Sequence, residues 1–348
     1  MSIVNNTAVE SRPIKWLVEE LRKSNLFVDD SFQRNYVWIN KDRISLIETI
    51  LLGYSIPEIY LWESDTDPDS GETRYSIIDG QQRIKTISQF INGDLKLTDS
   101  GLEFKTAPYR GKRFDELTNE EKSAVWSYKV SIRFVNKSVT RDDIIKMFLR
   151  LNKTSNALNP QELRHAEFHG EFLNASVKVA SLPHWKKWAT FSDMELRRMG
   201  DVQFASTLLI FARSGFEDET TQSSINRYYD LLNENYPGKD KDIEAVIETL
   251  DYIDKLIAVQ PEIKDLLRKK THAYTIFTLA DSLKKSQQTI KDSAAKLICW
   301  YEWQESDSQV DKAYVEAAEE YRRLTLEGVQ KKSNRYRRYE ILSKYMGI

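Results

Sequence analysis

The sequence predicts an α+β domain followed by an all-α helical domain, and three observations carry that prediction. At 348 residues the chain has room for two domains of roughly 100–200 residues each. Up to about residue 160, helical apolar spacing alternates with short runs of β-branched and aromatic residues; beyond it the helical period persists almost to the C-terminus. At the changeover Asn159 precedes Pro160, a residue favoured at the first helical position, with Glu162 close behind. The expected domains are residues 1–170 and 171–348.

The elements follow in order. Ile14, Trp16, Leu17, Val18 and Leu21 space a first helix, and Ile44, Ile47 and Leu51 a second with Asn40 as its N-cap. Residues 56–62 and 73–78 read as strands flanking an acidic loop. In that loop Asp65, Asp67 and Asp69 have the first spacings of an EF-hand. Ser70 and Ser76 stand where that motif needs Gly and Glu, so a solvated loop is expected. Thr118 with Glu121 and Thr140 with Asp143 form capping boxes that open short helices, and residues 130–135 form a strand between them. In the second half Gly215, Pro237 with Gly238, and Pro261 separate helices, with no fixed repeat period.

Composition removes several function classes. With 41% hydrophobic and 30% charged residues, and only 12 Gly and 8 Pro, the chain can bury a core and is neither disordered nor collagen-like. Its apolar runs are interrupted or far short of the ~20 residues a membrane-spanning helix needs. The N-terminus, MSIVNNTAVESRP, lacks the pattern of a secretory signal. Cys299 with His165, His169, His184 and His272 leaves too few soft ligands for a structural zinc site. A cytoplasmic protein without disulfides is expected.

The charge is uneven. The whole chain sums to 51 minus 53, or −2, yet residues 322–348 carry eight Lys or Arg against Glu327 and Glu340, a local +6 that leaves −8 elsewhere. With Tyr336 and Tyr339 interleaved, Arg335, Arg337 and Arg338 are the candidate contacts to a DNA backbone. The alternative is a solvated helix face.

The chemistry concentrates in YSIIDGQQRIKTISQF (75–90), where an apolar strand runs through a polar turn into a helix. Asp79 ends the strand and can cap the helix, and Gly80 lets a ligand approach the backbone. The amides that follow point at an anion, Gln81 and Gln82 add neutral donors and acceptors, and Arg83 adds a cation suited to bidentate phosphate contact. Ile84, Ile87, Phe90 and Ile91 can pack the helix on a sheet, leaving Gln82, Arg83 and Thr86 on a neighbouring edge. The turn is neither a P-loop nor a dinucleotide fingerprint.

Two further segments accompany it. FQRNYVW (32–38), IIDGQQRIKTI (77–87) and FLRLNKTSNALNPQELRHAEF (148–168) together resemble, in order, the N-terminal domain of GmrSD-type restriction endonucleases. The resemblance implies a ParB/sulfiredoxin-like fold and a nucleotide-binding, often nucleotide-hydrolysing domain in bacterial anti-phage defence, with the DGQQR turn on the phosphates. Carried onto this sequence, the motif positions are Asp79, Gly80, Gln81, Gln82 and Arg83, with Gln33 and Arg34 from the first segment and Asn152 and Lys153 from the third. Arg34, Arg83 and Lys153 can neutralise phosphate, while Asp79 can hold Mg²⁺ or orient a water. Glu162 and Arg164 are expected to form a structural ion pair or brace the third segment, with ligand contact as the alternative. Sulfiredoxin relatives use a cysteine at the phosphate turn, but Cys299 lies far from it, so sulfinic acid repair is rejected. Paired histidines of an appended HNH nuclease are missing from the second half, so a stand-alone member is expected.

Three functional readings result. The first is a Mg²⁺-dependent NTPase that couples a nucleoside triphosphate to DNA or to a separate nuclease or effector. The second is a non-catalytic DNA- or partner-binding adaptor using the same pocket. A ParB-like nuclease ranks last, because Asp79 is the only carboxylate the motifs place and metal-assisted phosphodiester cleavage normally gathers more than one. In the helical half, the segment 191–204 collects Asp193, Glu195, Arg197, Arg198 and Asp201 into an expected structural seam, and Trp185, Trp188, Trp300 and Trp303 are expected core or interface anchors.

Overall fold

A computed structural model of the chain describes residues 6–29, 36–69, 71–153, 158–305 and 314–348. It divides into two compact units, Met1–Asn159 and Pro160–Ile348. The expected boundary at 170 followed the extent of the third motif. In the structure that motif is divided, and the helix opened by Pro160 belongs to the second unit.

The first unit runs β1 (Thr7–Pro13), α1 (Ile14–Arg22), β2 (Leu26–Phe27), α2 (Asn40–Leu51), β3 (Ile59–Thr66), β4 (Thr73–Asp79), α3 (Gln81–Ile91), α4 (Asn119–Ser127), β5 (Lys129–Val135) and α5 (Arg141–Lys153). The strands form one mixed sheet in the order β1-β5-β3-β4-β2. β1 with β5 and β3 with β4 are antiparallel, while β3 with β5 and β2 with β4 are parallel. Ile59, Leu61, Ile77, Val130 and Ile132 from the sheet share a core with Ile14 and Leu17 of α1, Ile44 and Ile47 of α2, and Ile84, Ile87 and Phe90 of α3. α5 packs against β4, and the buried Ile144 and Phe148 are its apolar face.

Several expected boundaries move. Ile39, not Asn40, is the N-cap of α2, because Asp42 reaches back to accept from the Ile39 amide at 3.3 Å. β3 starts three residues later than its apolar run and continues into the acidic loop as far as Thr66, held by pairing with β4. The capping box at Thr118 forms in both directions, the Thr118 amide donating to Glu121 at 2.8 Å and the Glu121 amide to Thr118 Oγ1 at 3.2 Å. β1 was not anticipated. It is a polar edge strand ending in Pro13, and only its pairing along β5 makes it a strand.

Among its described residues the second unit is all-helical: α6 (Pro160–Glu167), α7 (Glu171–Ala180), α8 (Pro183–Trp188), α9 (Asp193–Arg197), α10 (Gly200–Ser214), α11 (Gln222–Leu231), α12 (Lys239–Val259), α13 (Ile263–Leu266), α14 (Lys270–Leu283), α15 (Ile290–Glu305), α16 (Val315–Leu324) and α17 (Lys332–Met346). Gly238 begins α12 with a left-handed φ of 78°, and Gly215 ends α10 at φ 76°, as the break signals indicate. Trp185, Trp188 and Trp300 are buried in this unit's core, with Trp303 packed against it. Among the described residues no helix is long and apolar enough to cross a membrane.

Candidate phosphate-binding site at the DGQQR turn

The turn is built by backbone constraint. Gly80 sits at φ 106° as the N-cap of α3, and a Cβ there would lie 2.9 Å from Ile59 Cγ1, so both conformation and space require glycine. A bulge precedes it: Tyr60 pairs with Asp79 and Leu61 with Ile77, which leaves Ile78 as the extra residue and re-aims the strand end. Asp79 was expected to cap the helix. Gly80 occupies the cap position without a side chain, and the Asp79 carboxylate turns to Arg83, whose Nη2 donates to Oδ2 at 2.8 Å.

Arg83 is the central cation. Its side chain is only 13% exposed, and the same Nη2 that meets Asp79 also donates to the Glu58 carbonyl at 3.1 Å. Its Nε is buried with no hydrogen-bond partner. A buried donor left unpaired costs about 1–3 kcal/mol, which an acceptor brought to this edge of the guanidinium would recover.

Around Arg83 the structure gathers Glu58, Tyr60 and Arg133, which the motifs did not indicate. The Glu58 carboxylate accepts from Arg133 Nε at 3.0 Å and Ser131 Oγ at 2.9 Å. Burial opposes its ionisation, but these bonds outweigh it and hold the carboxyl below its ordinary range. Tyr60 is pushed up by burial and by the neighbouring Glu58 charge. In register, Tyr60 stands opposite both Asp79 on β4 and Arg133 on β5, so the three occupy one row across the sheet. Such a row is set by strand pairing, and pairing between segments some 70 residues apart leaves no local signal in the sequence.

The two glutamines differ. Gln81 opens α3 and is partly exposed. Gln82 is buried, and its Oε1 accepts from the amides of Val37 at 3.0 Å and Trp38 at 3.1 Å. Thr86 is buried as well, donating to the Gln82 carbonyl at 2.7 Å, with Tyr36 OH 2.7 Å from its hydroxyl oxygen. These two side chains therefore fasten the end of the FQRNYVW segment to α3. Burial raises the Tyr36 pKa, and Lys85 Nζ lies 4.8 Å from its ring centroid. Gln33 and Arg34 lie outside the described residues. Asn152 is buried and donates to the Phe148 carbonyl one turn back at 2.9 Å; Lys153 ends α5, and its side chain lies outside the described part.

The candidate residues of the helical unit fall elsewhere. Arg335 and Arg338 are buried at 5% and 1% exposure, which corrects their expected place on a DNA-facing surface. Arg335 makes a two-point contact with Glu219 at 2.6 and 3.2 Å, and Arg338 donates to Thr275 Oγ1 and to the carbonyls of Leu324 and Val329. Arg337 is exposed and pairs with Glu320 and Glu340, each at 2.7 Å. Glu162 binds Arg198 at 2.8 Å, while Arg164 is buried against Gln161, Gln222 and Asn226, so the two brace different neighbours and not each other. Glu195 closes a capping box with Ser192 and pairs with Lys270 at 2.9 Å.

Among the described residues no group of three or more His, Cys, Asp or Glu side chains is arranged to hold a metal ion. Mg²⁺ shared with a substrate takes one or two carboxylates and completes its shell with phosphate oxygens and water, and the turn carries one carboxylate, Asp79. Asp79 is one-third exposed and engages Arg83 through Oδ2.

No curated protein and no solved structure matches the chain. Residues 15–169 match the sequence model described as GmrSD restriction endonuclease, N-terminal domain. That span contains all three motif segments, together with Glu58, Tyr60 and Arg133. Over that span the chain is similar to the N-terminal domain of GmrSD restriction endonucleases.

Proposed function

We propose that the chain is a nucleotide-binding, Mg²⁺-dependent NTP-hydrolysing module of a restriction-type anti-phage defence system, acting in the cytoplasm and passing its nucleotide state to DNA or to a separate nuclease or effector. The observation that carries this reading is the buried, unpartnered Nε of Arg83, set beside Asp79 at a glycine turn that opens a helix. The similarity of residues 15–169 to the N-terminal domain of restriction endonucleases supports the biological setting.

In this reading the uncapped first turn of α3 and Gly80 let a phosphate approach the backbone closely. Arg83 gives Nε and Nη2 to two phosphate oxygens, exchanging the Asp79 contact for a bidentate one. Asp79, released from Arg83, accepts a proton from the attacking water and holds it in line. Asp79 is the residue that would hold Mg²⁺, and the chemistry that ion would supply is neutralisation of phosphate charge. Gln82 and Thr86 act by positioning the described end of the FQRNYVW segment, Tyr36 to Trp38.

The test is phosphate release from a panel of nucleoside triphosphates with Mg²⁺, with and without DNA, for wild type, Asp79→Ala and Arg83→Ala. Arg83→Ala is expected to weaken nucleotide binding by about 10- to 100-fold, the worth of a charge-assisted contact. Asp79→Ala is expected to abolish turnover while nucleotide binding survives. Wild type that binds no triphosphate overturns the reading. Binding without turnover leaves the adaptor, for which affinity for DNA should fall steeply with salt.

A further inference from the structure

Arg83 has a second guanidinium for a neighbour, and one residue ties the two together. The Glu58 carbonyl accepts from Arg83 Nη2 at 3.1 Å, while the Glu58 carboxylate accepts from Arg133 Nε at 3.0 Å. Arg133 comes from β5, two strands away from β4, yet its guanidinium carbon lies 5.7 Å from the ring centroid of Tyr60 on the intervening β3, the residue paired with Asp79. We propose that Arg133 is a second phosphate-binding cation, so that the site takes a polyphosphate, with Arg83 on one phosphate and Arg133 on the next. This inference rests on the reading of the DGQQR turn as a phosphate site.

The arrangement of Glu58 points to linked phosphates. Its carbonyl and its carboxylate stand between the two guanidinium groups, one hydrogen bond to each. The two arginines are thereby kept from closing on a single phosphate, and each faces its own member of an anhydride chain. With Asp79 and Glu58 offsetting Arg83 and Arg133, the four formal charges cancel. Binding then draws on directed, charge-assisted donors, which suit the oxygens of a phosphate chain better than a diffuse anion.

Arg133 is fixed in place without being used up. Ser131 Oγ donates to Glu58 at 2.9 Å, Glu58 holds Arg133 Nε, and the Tyr60 ring lies under the guanidinium. Its Nη1 reaches Thr7 Oγ1 only at 3.5 Å. The strands that carry these residues are already joined by the β3–β5 ladder from Ile59 to Trp62, so what the ion pair fixes is the side chain. The buried pair in the helical unit is built differently. Arg335 spends two nitrogens on Glu219, with the side chains 6% and 4% exposed. Arg133 spends one nitrogen on Glu58 and stays 33% exposed, equal to Asp79, so a ligand at the turn can reach it. A donor held in position before the ligand arrives costs no reorganisation when charge meets it.

The experiment is calorimetric titration of the full chain with inorganic phosphate, pyrophosphate and tripolyphosphate at constant pH and ionic strength, for wild type, Arg83→Ala, Arg133→Gln and Glu58→Gln. Wild-type affinity should climb about tenfold or more from phosphate to pyrophosphate. Arg133→Gln should remove that step and leave phosphate affinity unchanged, whereas Arg83→Ala should weaken all three anions. Glu58→Gln, whose amide oxygen can still accept from Arg133, should keep the step. An undiminished step in Arg133→Gln overturns the role of Arg133 and leaves the turn a phosphate site. A loss in Glu58→Gln as large as in Arg133→Gln overturns it as well, because the pair is then a brace of the sheet. Wild type that binds none of the three anions overturns the phosphate reading of the turn itself, and this inference with it.

Discussion

The DGQQR turn and the C-terminal helix α17 present the same kind of sequence, arginines set among polar and aromatic residues, and the structure treats them in opposite ways. In the turn, Arg83 shares one nitrogen between Asp79 and the Glu58 carbonyl and keeps a buried Nε without an acceptor. In α17, Arg335 gives both terminal nitrogens to Glu219, and each guanidinium nitrogen of Arg338 has an internal acceptor. A count of cations registers the two regions alike. Donor accounting separates them: the guanidinium nitrogens of Arg338 and the two terminal nitrogens of Arg335 are spent on acceptors inside the fold, whereas Arg83 keeps one buried nitrogen without an acceptor.

The sharpest way to break this contrast is to remove one partner of the buried pair. Arg335→Ala leaves Glu219, 4% exposed, with its charge uncompensated, and should destabilise the helical unit by about 3–5 kcal/mol in urea unfolding. The paired change Arg335→Met with Glu219→Leu should recover most of that loss. If Arg335→Ala were neutral for stability yet weakened DNA binding, α17 would regain the surface role its sequence suggests.

The next effect is acid sensitivity of the same unit. His272 titrates near 3 when folded against an ordinary value of 6.5, so below 6.5 the unfolded chain takes up a proton that the folded chain refuses. Stability is complete above 6.5 and is lost as pH falls, by about 2 kcal/mol between pH 7 and pH 5 from this group alone. His272→Gln should flatten that difference, read as the change in urea midpoint between the two pH values. Equal slopes in wild type and variant would mean that His272 protonates freely in the folded chain.

In the first unit, Gln82→Ala tests the fastening of the FQRNYVW segment. It strips an acceptor from the amides of Val37 and Trp38, with Val37 buried, at a cost of about 1–3 kcal/mol. Amide hydrogen exchange at those two residues should accelerate, with little change in the helical unit. Retained protection at both amides would show that Gln82 does not anchor the segment.

These contrasts also mark what was legible in the sequence. The strand, glycine turn and helix around Gly80 were readable because each depends on residues within a few positions, as was the all-helical second half from its sustained period. β1 was missed because it is polar, ends in proline and exists through its partner β5. The turn itself, with Asp79 and Arg83 one helical turn apart, was legible, and Gln82 and Thr86 fasten the end of the first segment to α3, whereas the third segment is divided between the two units and its Asn152 bonds within its own helix. The sequence could not supply Glu58, Tyr60 and Arg133, which arrive by strand register, nor the buried role of Gln82, whose partners lie 44 and 45 residues away. Arg335 was misplaced for the same reason, since Glu219 is 116 residues distant. Local chemistry carried the turn, while partners far along the chain decided which polar groups remained available.

The smallest expected effect completes the contrast. Arg337 differs from Arg335 by two positions, yet its pairs with Glu320 and Glu340 lie on the surface, with the arginine nearly half exposed. Its bonds to both carboxylates raise its pKa, but solvent screening and the entropy of holding long side chains keep such pairs to about 0–1 kcal/mol. Arg337→Ala should therefore shift the urea midpoint only slightly, with the shift shrinking further in high salt. A loss matching that of Arg335→Ala would mean the Glu320 contact is closed to water, and α17 would then be a fully internal helix rather than one with a buried and a solvated face.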